Sequence, residues 1–374
     1  MKNYLLTIIE SLLRLKRHIK YSRRFRGLLK SQHIINKPAP GEEDYVAVWK
    51  QLYSFVEPYS YRFYRHYCGD NPYIVPEDIG HSFIETMLNP NEYTSQYEDK
   101  NNLPLILPKG YVPQTILCRM RGGDILNAEK KIVDIDPSAT SKDIYTIIGG
   151  DDAIIIKPSV DSNGGDRVMK FVPKDNKYVS ANGLTILDGP FLKTFAPDWV
   201  MQRVVRQHAQ MQLFCSTAVN TIRVNTYRSF VDEQIYIVSA ALRVARDGSI
   251  VDNGHAGGGL VRVDLMTGEL GHEVVKQCGD RMYNFNGVNY SELSFKIPNW
   301  DKVKLFCQDV ASYNHHCRLI AMDVAIQEDG MPILIEWNVS PYSFSYWIPM
   351  LTGSLPFGNK TEEIIQYCKK YSTL

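Results

Sequence analysis

Two carboxylates and an amide, from Asp323, Glu336 and Asn338, have the spacing of a metal-ion site. They lie in two aliphatic segments that the dipeptide Asp329-Gly330 separates. Because Asp-Gly tolerates the positive φ angles of a tight turn, the stretch is predicted to be two antiparallel strands joined by a two-residue loop. That loop places Asp323 directly opposite Glu336.

The predicted loop also fixes the partner of every other residue in the two strands. It gives the opposed pairs Glu328–Met331, Ile326–Ile333, Val324–Ile335 and Met322–Trp337. One face of the hairpin is then apolar and should pack on a core, while the three polar residues share the other face. Carboxylates whose Cβ atoms are about 5 Å apart repel. Mg²⁺ would relieve that repulsion, since it takes oxygen ligands from carboxylates and phosphates. The alternative is a solvated outer face whose carboxylates do nothing.

A lysine at the end of a second apolar segment is the next group with a chemical use. Lys157 ends residues 152–157 and precedes a small loop that contains Ser159, Ser162, Gly164 and Gly165. Polyphosphate binding requires such a point cation beside backbone N–H groups that no side chain obstructs. The pattern is neither a Walker loop nor a Rossmann fingerprint. The alternative is an ordinary hairpin with an exposed lysine.

Composition places the chain among globular proteins. It has 374 residues, of which 44% are hydrophobic and 22% charged, which excludes disordered and fibrous classes. A net charge of +1 gives no overall bias toward nucleic acid. The seven cysteines form no CxxC pair, so we expect reduced thiols in a cytoplasmic protein.

The first thirty residues predict a basic amphipathic helix. They hold nine Lys or Arg and one acid. An apolar stripe recurs at helical spacing through Leu5, Ile8, Leu12, Leu15 and Ile19. No apolar run is long enough to span a membrane. Either the helix lies on the anionic inner membrane surface, giving a peripheral contact, or its stripe packs on the protein and its charges are solvated.

The order of the predicted elements divides the chain into three regions. Residues 1–95 are helical and rich in aromatic side chains. Alternating strand and helix signals begin near residue 96, so residues 96–200 form a lobe that contains Lys157 and its loop. Residues 201–374 form a second lobe, a mostly antiparallel sheet that ends in the hairpin and a closing helix. The predicted fold class is therefore α+β, with an N-terminal helical region.

The ordered set of motifs resembles the ATP-grasp superfamily over roughly residues 97–345. The set runs through Asp99-Lys100, Lys157 with its glycine loop, Gln202, Arg223, and Asp323 thirteen residues before Glu336-x-Asn338. Gln207-His208, the Val-Asn-Thr-Ile-Arg of residues 219–223, Asp252-Asn253 and the glycines at 257–259 resemble the sugar-transfer-associated branch, found among surface-polysaccharide genes. The resemblance implies two α/β lobes that hold ATP between them.

The resemblance also implies a role for each matching residue. Lys100 and Lys157 would bind the nucleotide phosphates, and residues 159–165 would close over them. Gln202 would lie at the hinge strand, backbone groups near Val204 would bind the adenine edge, and His208 would lie near the ribose. Arg223 would stabilise the transferring phosphoryl group, and Asp323, Glu336 and Asn338 would hold Mg²⁺. Gln202 stands where the superfamily often has Glu, and Trp337 is bulky between two predicted metal ligands.

Three functions fit these motifs. The favoured one is a ligase that activates a carboxylate as an acyl phosphate and joins it to an amine or another nucleophile, acting on a sugar or amino-acid component of cell-surface polysaccharide. A kinase that phosphorylates a sugar-type hydroxyl would share the ATP half of the site. A non-catalytic nucleotide-binding scaffold is the third.

The substrates are the least defined part of the prediction. Five residues of the second lobe are candidates for binding an anionic or sugar substrate, although a structural role is an equal alternative for each arginine: Arg243, His255, Gly257, Gly258 and Arg262. No nucleic-acid partner is predicted.

Overall fold

The computed structural model describes residues 2–150, 152–160, 165, 167–250 and 257–371, with side chains from residue 12 onward. The helices are α1 Lys2–Ser31, α2 Glu42–Trp49, α3 Tyr59–Cys68, α4 Glu77–Ile79, α5 Glu85–Leu88, α6 Asn91–Glu98, α7 Leu103–Ile106, α8 Ser141–Ile148, α9 Gly189–Thr194, α10 Trp300–Ser312, α11 Trp347–Leu351 and α12 Thr361–Tyr371. A π-helical turn, Gly80–Ile84, and the 3-10 turns Ala209–Leu213 and Gly358–Lys360 join them. The strands are β1 Thr115–Arg119, β2 Ile125–Asn127, β3 Ile154–Pro158, β4 Met169–Lys174, β5 Lys177–Ser180, β6 Trp199–Arg203, β7 Thr221–Arg228, β8 Ile235–Val244, β9 Gly259–Arg262, β10 Val274–Val275, β11 Arg281–Met282, β12 Asn284–Phe285, β13 Val288–Asn289, β14 Leu319–Ile326 and β15 Pro332–Asn338.

Six strands form the first sheet, in the order β2-β1-β6-β3-β4-β5, and all of its neighbours are antiparallel. Ile156 and Met201 lie on its covered face and belong to a core shared with α8 and α9. Because side chains alternate along a strand, Ile155 and Lys157 point to the opposite face, together with Gln202 across from Ile155. The side chains on this second face can therefore contribute to a functional site.

Seven strands form the second sheet, in the order β11-β10-β9-β8-β7-β14-β15, again with antiparallel neighbours. Ile222 and Leu242 lie on the face that packs against α10. Alternation sends Arg223, Arg243 and Asp323 to the other face. Three central strands therefore carry charged side chains toward the same side, and both sheets confirm the predicted α+β class with N-terminal helices.

The hairpin of β14 and β15 confirms the predicted pairing of Asp323 with Glu336 and of Met322 with Trp337. Trp337 is buried in the core, and its indole Nε1 donates a hydrogen bond to the Tyr97 carbonyl at 2.6 Å. The indole is therefore on the face away from the two carboxylates.

The predicted turn of this hairpin is wrong by one residue. Gln327 pairs with Met331, so the loop has three residues and Glu328 does not oppose Met331. A β-bulge then restores the register: Val324 opposes Leu334, Ile326 opposes Pro332, and the predicted pairs of Val324 and Ile326 are also wrong. Gly330, at φ +80°, occupies the left-handed position that such a loop requires. The longer loop and the bulge shift the strand register in opposite directions, and the two shifts cancel. This is why the carboxylates still face each other.

Helix α1 contradicts the predicted packing of its apolar stripe. Leu12, Leu15 and Ile19 are 60%, 47% and 42% exposed. The helix is instead anchored farther along, where Phe25 and Leu29 are fully buried in a core formed with α3 and the C-terminal segment. The described part of the stripe faces solvent.

Some cations of α1 contact the protein and others are exposed, so the alternative of solvated charges holds for only part of the helix. The exposed ones are Lys16, Lys20, Arg23 and Arg26. Arg24 forms an ion pair with the buried Glu77 at 2.6 Å, and Arg17 donates to the Ser82 hydroxyl at 3.2 Å. A buried carboxylate needs a charged partner, so the acids that follow α3 hold the basic side of the helix. Within the described residues, no helix is long and apolar enough to cross a membrane.

Candidate active site

The open faces of the two sheets form a cleft. Its inner part has a volume of about 140 Å³ and is lined by Lys157 and Gln202 from the first sheet and Arg243, Asp323 and Glu336 from the second, among others. An outer part of about 280 Å³ adjoins it. Both parts are lined by Ile155, Val205, Val219 and Ile250. The two cavities are therefore one elongated cleft with a charged inner end.

Asp323 is the centre of a buried ion-pair network. Arg223 donates Nε to Asp323 Oδ1 at 2.6 Å and Nη2 to Oδ2 at 3.1 Å. Arg243 donates Nη1 to the same Oδ2. Burial alone would raise the pKa of the Asp323 carboxyl, but the two guanidinium groups hold it well below its ordinary value. Asp323 is therefore ionised, and the arginines supply part of the compensation for which the sequence suggested a metal ion.

Glu336 stands across the cleft from two lysines. Its carboxylate lies 3.4 Å from Lys100 Nζ, and its side chain is 29% exposed. Burial and the nearby Lys100 ammonium lower the pKa of Lys157 to about 8, against the attraction of Glu336 and Asp323. Two cations are thus concentrated beside one accessible carboxylate, which is a place for a ligand that carries several negative charges.

Two buried donors in this region have no hydrogen-bond partner among the described residues: Arg223 Nη1 and Ser159 Oγ. Such donors are costly in a folded protein unless a ligand or water satisfies them. Ser159 is held in place through its backbone, because its carbonyl accepts from the Lys100 N–H at 3.0 Å. Phosphate oxygens are suitable partners for both donors.

The predicted metal ligands offer the oxygen atoms that Mg²⁺ prefers. Glu336 is accessible. The Asn338 amide N–H donates to the Ala321 carbonyl at 3.4 Å, so its Oδ1 would be the metal ligand, but Asn338 does not line either described part of the cleft. Asp323 can offer only the lone pairs that its arginines do not use. The described residues contain no cluster of three or more His, Cys, Asp or Glu, and the predicted set has two carboxylates and an amide. Magnesium fits these donors.

The outer part of the cleft differs from the sequence-based prediction in two residues. The Nδ1 atom of His208 accepts a hydrogen bond from the Gln210 N–H at 3.3 Å, and its side chain does not line either described part of the cleft. Glu328, which the sequence paired with Met331 in the hairpin, does line the outer part. The Val204 N–H is bonded to the Ala153 carbonyl at 3.0 Å, so that donor is not open to a ligand.

The remaining predicted residues fall into three groups. Gly165 lines the inner cleft beside Lys157. Gly257 and Gly258 accept hydrogen bonds from Lys276 Nζ through their carbonyls, and Arg262 lies outside the cleft. Ser162, Gly164 and His255 lie outside the described residues.

The family model described as sugar-transfer associated ATP-grasp matches residues 85–355. No curated protein sequence matches the chain. Among solved structures, D-alanyl-alanine synthetase A from Vibrio cholerae has a TM-score of 0.39 at 14% identity and covers 75% of this chain and 66% of its own. The ATP-grasp ligase PsnB, complexed with a precursor variant, Mg and ADP, gives 0.39 and 14%, with 75% and 62% covered. D-cycloserine synthetase DcsG gives 0.40 and 11%, with 76% and 73% covered. The chain thus spans slightly less than two thirds of the first two proteins.

Proposed function

Because the chain belongs to the sugar-transfer associated ATP-grasp family, whose members are ATP-dependent ligases, we propose that it joins a carboxylate to an amine or another nucleophile at the expense of ATP. The observation that carries the proposal is the inner cleft. There, two lysines from the side of the first sheet face the carboxylate of Glu336 and the Asp323 network on the second. We propose a sugar or amino-acid component of cell-surface polysaccharide as the acceptor, and the words 'sugar-transfer associated' in the family description support the sugar.

The proposed reaction has two steps. An oxygen of the substrate carboxylate attacks the γ-phosphorus of ATP, the bond to the β-phosphate oxygen breaks, and ADP leaves. The nucleophile then attacks the carbonyl carbon of the acyl phosphate, loses a proton, and expels inorganic phosphate. Magnesium, when bound by Glu336, Asn338 and Asp323, would neutralise charge on the phosphates. Lys157 and Arg223 would stabilise the negative charge on the transferring group.

Product analysis tests this reaction. Purified protein is incubated with ATP and panels of carboxylates and amines, including amino acids and nucleotide sugars, and both ADP and free phosphate are measured. A ligase releases free phosphate only when both the carboxylate and the nucleophile are present. ADP without free phosphate, together with a phosphorylated acceptor, would establish the kinase instead. If no panel yields ADP while nucleotide still binds, the scaffold becomes the better account.

Nucleotide affinity should fall as pH rises through the pKa of Lys157. The charged lysine binds phosphate, and in the free protein its pKa is about 8, with Lys100, Glu336 and Asp323 as the charged groups that face it. If only the protonated form binds well, affinity for Mg·ADP drops by about tenfold between pH 7 and pH 9. Calorimetry at both pH values measures the drop. The control is Lys157→Arg, whose guanidinium stays charged, so its affinity should be weaker but flat with pH. A wild-type affinity that rises or stays flat would contradict the lysine's role.

We further propose that the protein acts at the cytoplasmic surface of the membrane. The exposed Leu12, Leu15 and Ile19 are interleaved with Lys16 and Lys20, which are also exposed. Apolar side chains flanked by lysines match a bilayer surface of anionic lipid, where the apolar groups insert and the cations remain at the headgroups.

Vesicle sedimentation tests this contact. The full chain should bind vesicles that contain phosphatidylserine, and the double substitution Leu12→Glu with Leu15→Glu should weaken binding by at least about tenfold, because it places two acids at an anionic surface. Leu184→Glu is the matched control, since Leu184 is 84% exposed in another part of the chain. No sedimentation of the wild-type protein, or equal loss in the control, would refute the membrane contact.

A further inference from the structure

A second cavity, of about 410 Å³, lies on the same side of the second sheet as the cleft. Helix α3, strands β9 to β11 and the end of α11 contribute to it. Its lining residues include His66, Tyr67, Arg262, His272, Glu273, Arg281, Tyr283 and Gly353. No residue lines both this cavity and the described parts of the cleft.

Helix α11 separates this cavity from the cleft. Strand register places Arg262 opposite Ala241, and Ala241 opposite Arg223, so all three side chains point to one face of the sheet. Between the arginines, Ile348 of α11 packs on Ala241 and Leu260 in a small buried cluster. Arg223 therefore contacts Asp323 of the cleft and Arg262 lines the second cavity, although only one strand, β8, lies between their strands.

Positive charge predominates in the second cavity. Arg281 lies 3.4 Å from Glu273, donates to the His66 carbonyl at 2.6 Å, and stacks on the ring of Tyr67 at 4.7 Å. It is thus held in place with one counter-charge. The side chain of Arg262, by contrast, makes no hydrogen bond or ion pair with any residue in the described ranges.

The Arg262 guanidinium is attracted by the Asp264 carboxylate but makes no hydrogen bond with it. The nearby carboxylate of Asp264 accepts hydrogen bonds from the backbone N–H groups of Met266 and Thr267. The stem of Arg262 passes over Gly271, where a side chain would begin only 3.1 Å from the Arg262 Cβ atom. The missing side chain keeps this wall of the cavity open.

We infer that the second cavity binds a small molecule through an oxyanion, a phosphate or a carboxylate, with Arg262 as its principal ligand. Arg281 lines the same cavity and would add positive charge, His272 would add a hydrogen-bond donor, and the rings of Tyr67 and Tyr283 would contact the body of the molecule. A guanidinium binds either anion through two parallel hydrogen bonds. The inference goes beyond the ligase proposal and does not depend on it, because the cleft residues take no part in this site.

Calorimetry on the full chain tests the inference. Inorganic phosphate and acetate are titrated separately in the millimolar range into protein saturated with Mg·AMP-PNP, so that the cleft is filled. The variants are Arg262→Ala, Arg262→Lys and, as the matched control, Arg23→Ala on an exposed part of α1. Stronger binding of phosphate than of acetate would identify a phosphorylated ligand, and the reverse a carboxylate.

At least one anion should bind the wild-type protein and the Arg23→Ala control, and Arg262→Ala should weaken it by at least about tenfold. Arg262→Lys should be intermediate, because it keeps the charge and loses the paired hydrogen bonds. Failure of both anions to bind, or equal binding to Arg262→Ala, would overturn the inference. The same titrations without nucleotide, on Lys157→Met protein, distinguish the two proposals: anion binding that Lys157→Met removes and Arg262→Ala spares belongs to the cleft.

Discussion

Replacing Glu336 with glutamine should lower ATP turnover by about a thousandfold or more while the protein remains folded. Glu336 is the accessible carboxylate of the cleft, and its exposed side chain is not part of the core. The amide cannot neutralise the charge of a magnesium ion, and it removes the carboxylate that lies 3.4 Å from Lys100 Nζ. ADP release at saturating ATP, with the acceptors found by product analysis, measures the loss.

Asp329→Asn is the control for this substitution, since it makes the same chemical change at the turn of the same hairpin. Among the residues that the structure describes, the Asp329 carboxylate accepts only from the Met331 N–H at 2.9 Å, and an asparagine there can do the same. The control should keep its turnover within about twofold. Undiminished ADP release by the Glu336→Gln protein would remove Glu336 from the site.

Replacing Asp323 with asparagine should lower the free energy of unfolding by about 3 kcal/mol or more. The carboxylate is 2% exposed and receives hydrogen bonds from two guanidinium groups. Without it, Arg223 and Arg243 would lose the carboxylate that both of them contact. Removing one partner from a buried ion pair leaves uncompensated charge, which is the costly case. Urea unfolding measures the change.

Asp152→Asn is the corresponding surface control. Its ion pair with Arg206 is equally short, at 2.5 Å, but both side chains are more than half exposed. Solvent screens such a pair, so its loss should cost less than about 1 kcal/mol. If Asp323→Asn is no more destabilising than this control, Asp323 does not hold the arginines together in the manner the structure indicates.

Much of the second sheet could be predicted from the sequence because the hairpin carries strong local information. Alternation of apolar and polar residues places Trp337 in the core and Glu336 on the open face, and the structure confirms both. The turn could not be predicted to the residue. Asp-Gly fits two-residue and three-residue loops alike, and nothing in a run of isoleucine and leucine indicates the bulge at Ile335.

The ion-pair network was missed although a signal for it exists. Arg223 and Arg243 stand inside long apolar strands, and a charged residue in such a position needs a partner. Which acid serves them depends on the strand order, since β7 lies between β8 and β14. Sequence reasoning did not supply that order, and it therefore assigned Arg243 to the substrate and the compensation of Asp323 to a metal alone.

Long-range packing also explains the two other differences between the sequence-based prediction and the structure, which concern helix α1 and the residues His208 and Glu328. Periodicity finds the apolar stripe of α1, but it does not reveal that the acids after α3 pair with the helix's cations and turn Leu12 and Leu15 to solvent. Glu328 lines the outer cleft and His208 does not, because the turn of the hairpin and the segment after β6 are bonded together through Glu328 N–H and the Arg206 carbonyl. Both contacts, Arg24 with Glu77 and Glu328 with Arg206, join residues more than fifty positions apart.

The binding of Mg·AMP-PNP, measured by calorimetry, tests the central claim most directly, because it asks for the ATP site without needing the unknown acceptors. We expect saturable binding of one nucleotide per chain, and we expect it to require magnesium. The single substitution Glu336→Gln should weaken this binding, and the single substitution Lys157→Met should weaken it more. Binding should be unchanged for Asp329→Asn. Absence of binding, or binding that neither Glu336→Gln nor Lys157→Met affects, would contradict the central claim.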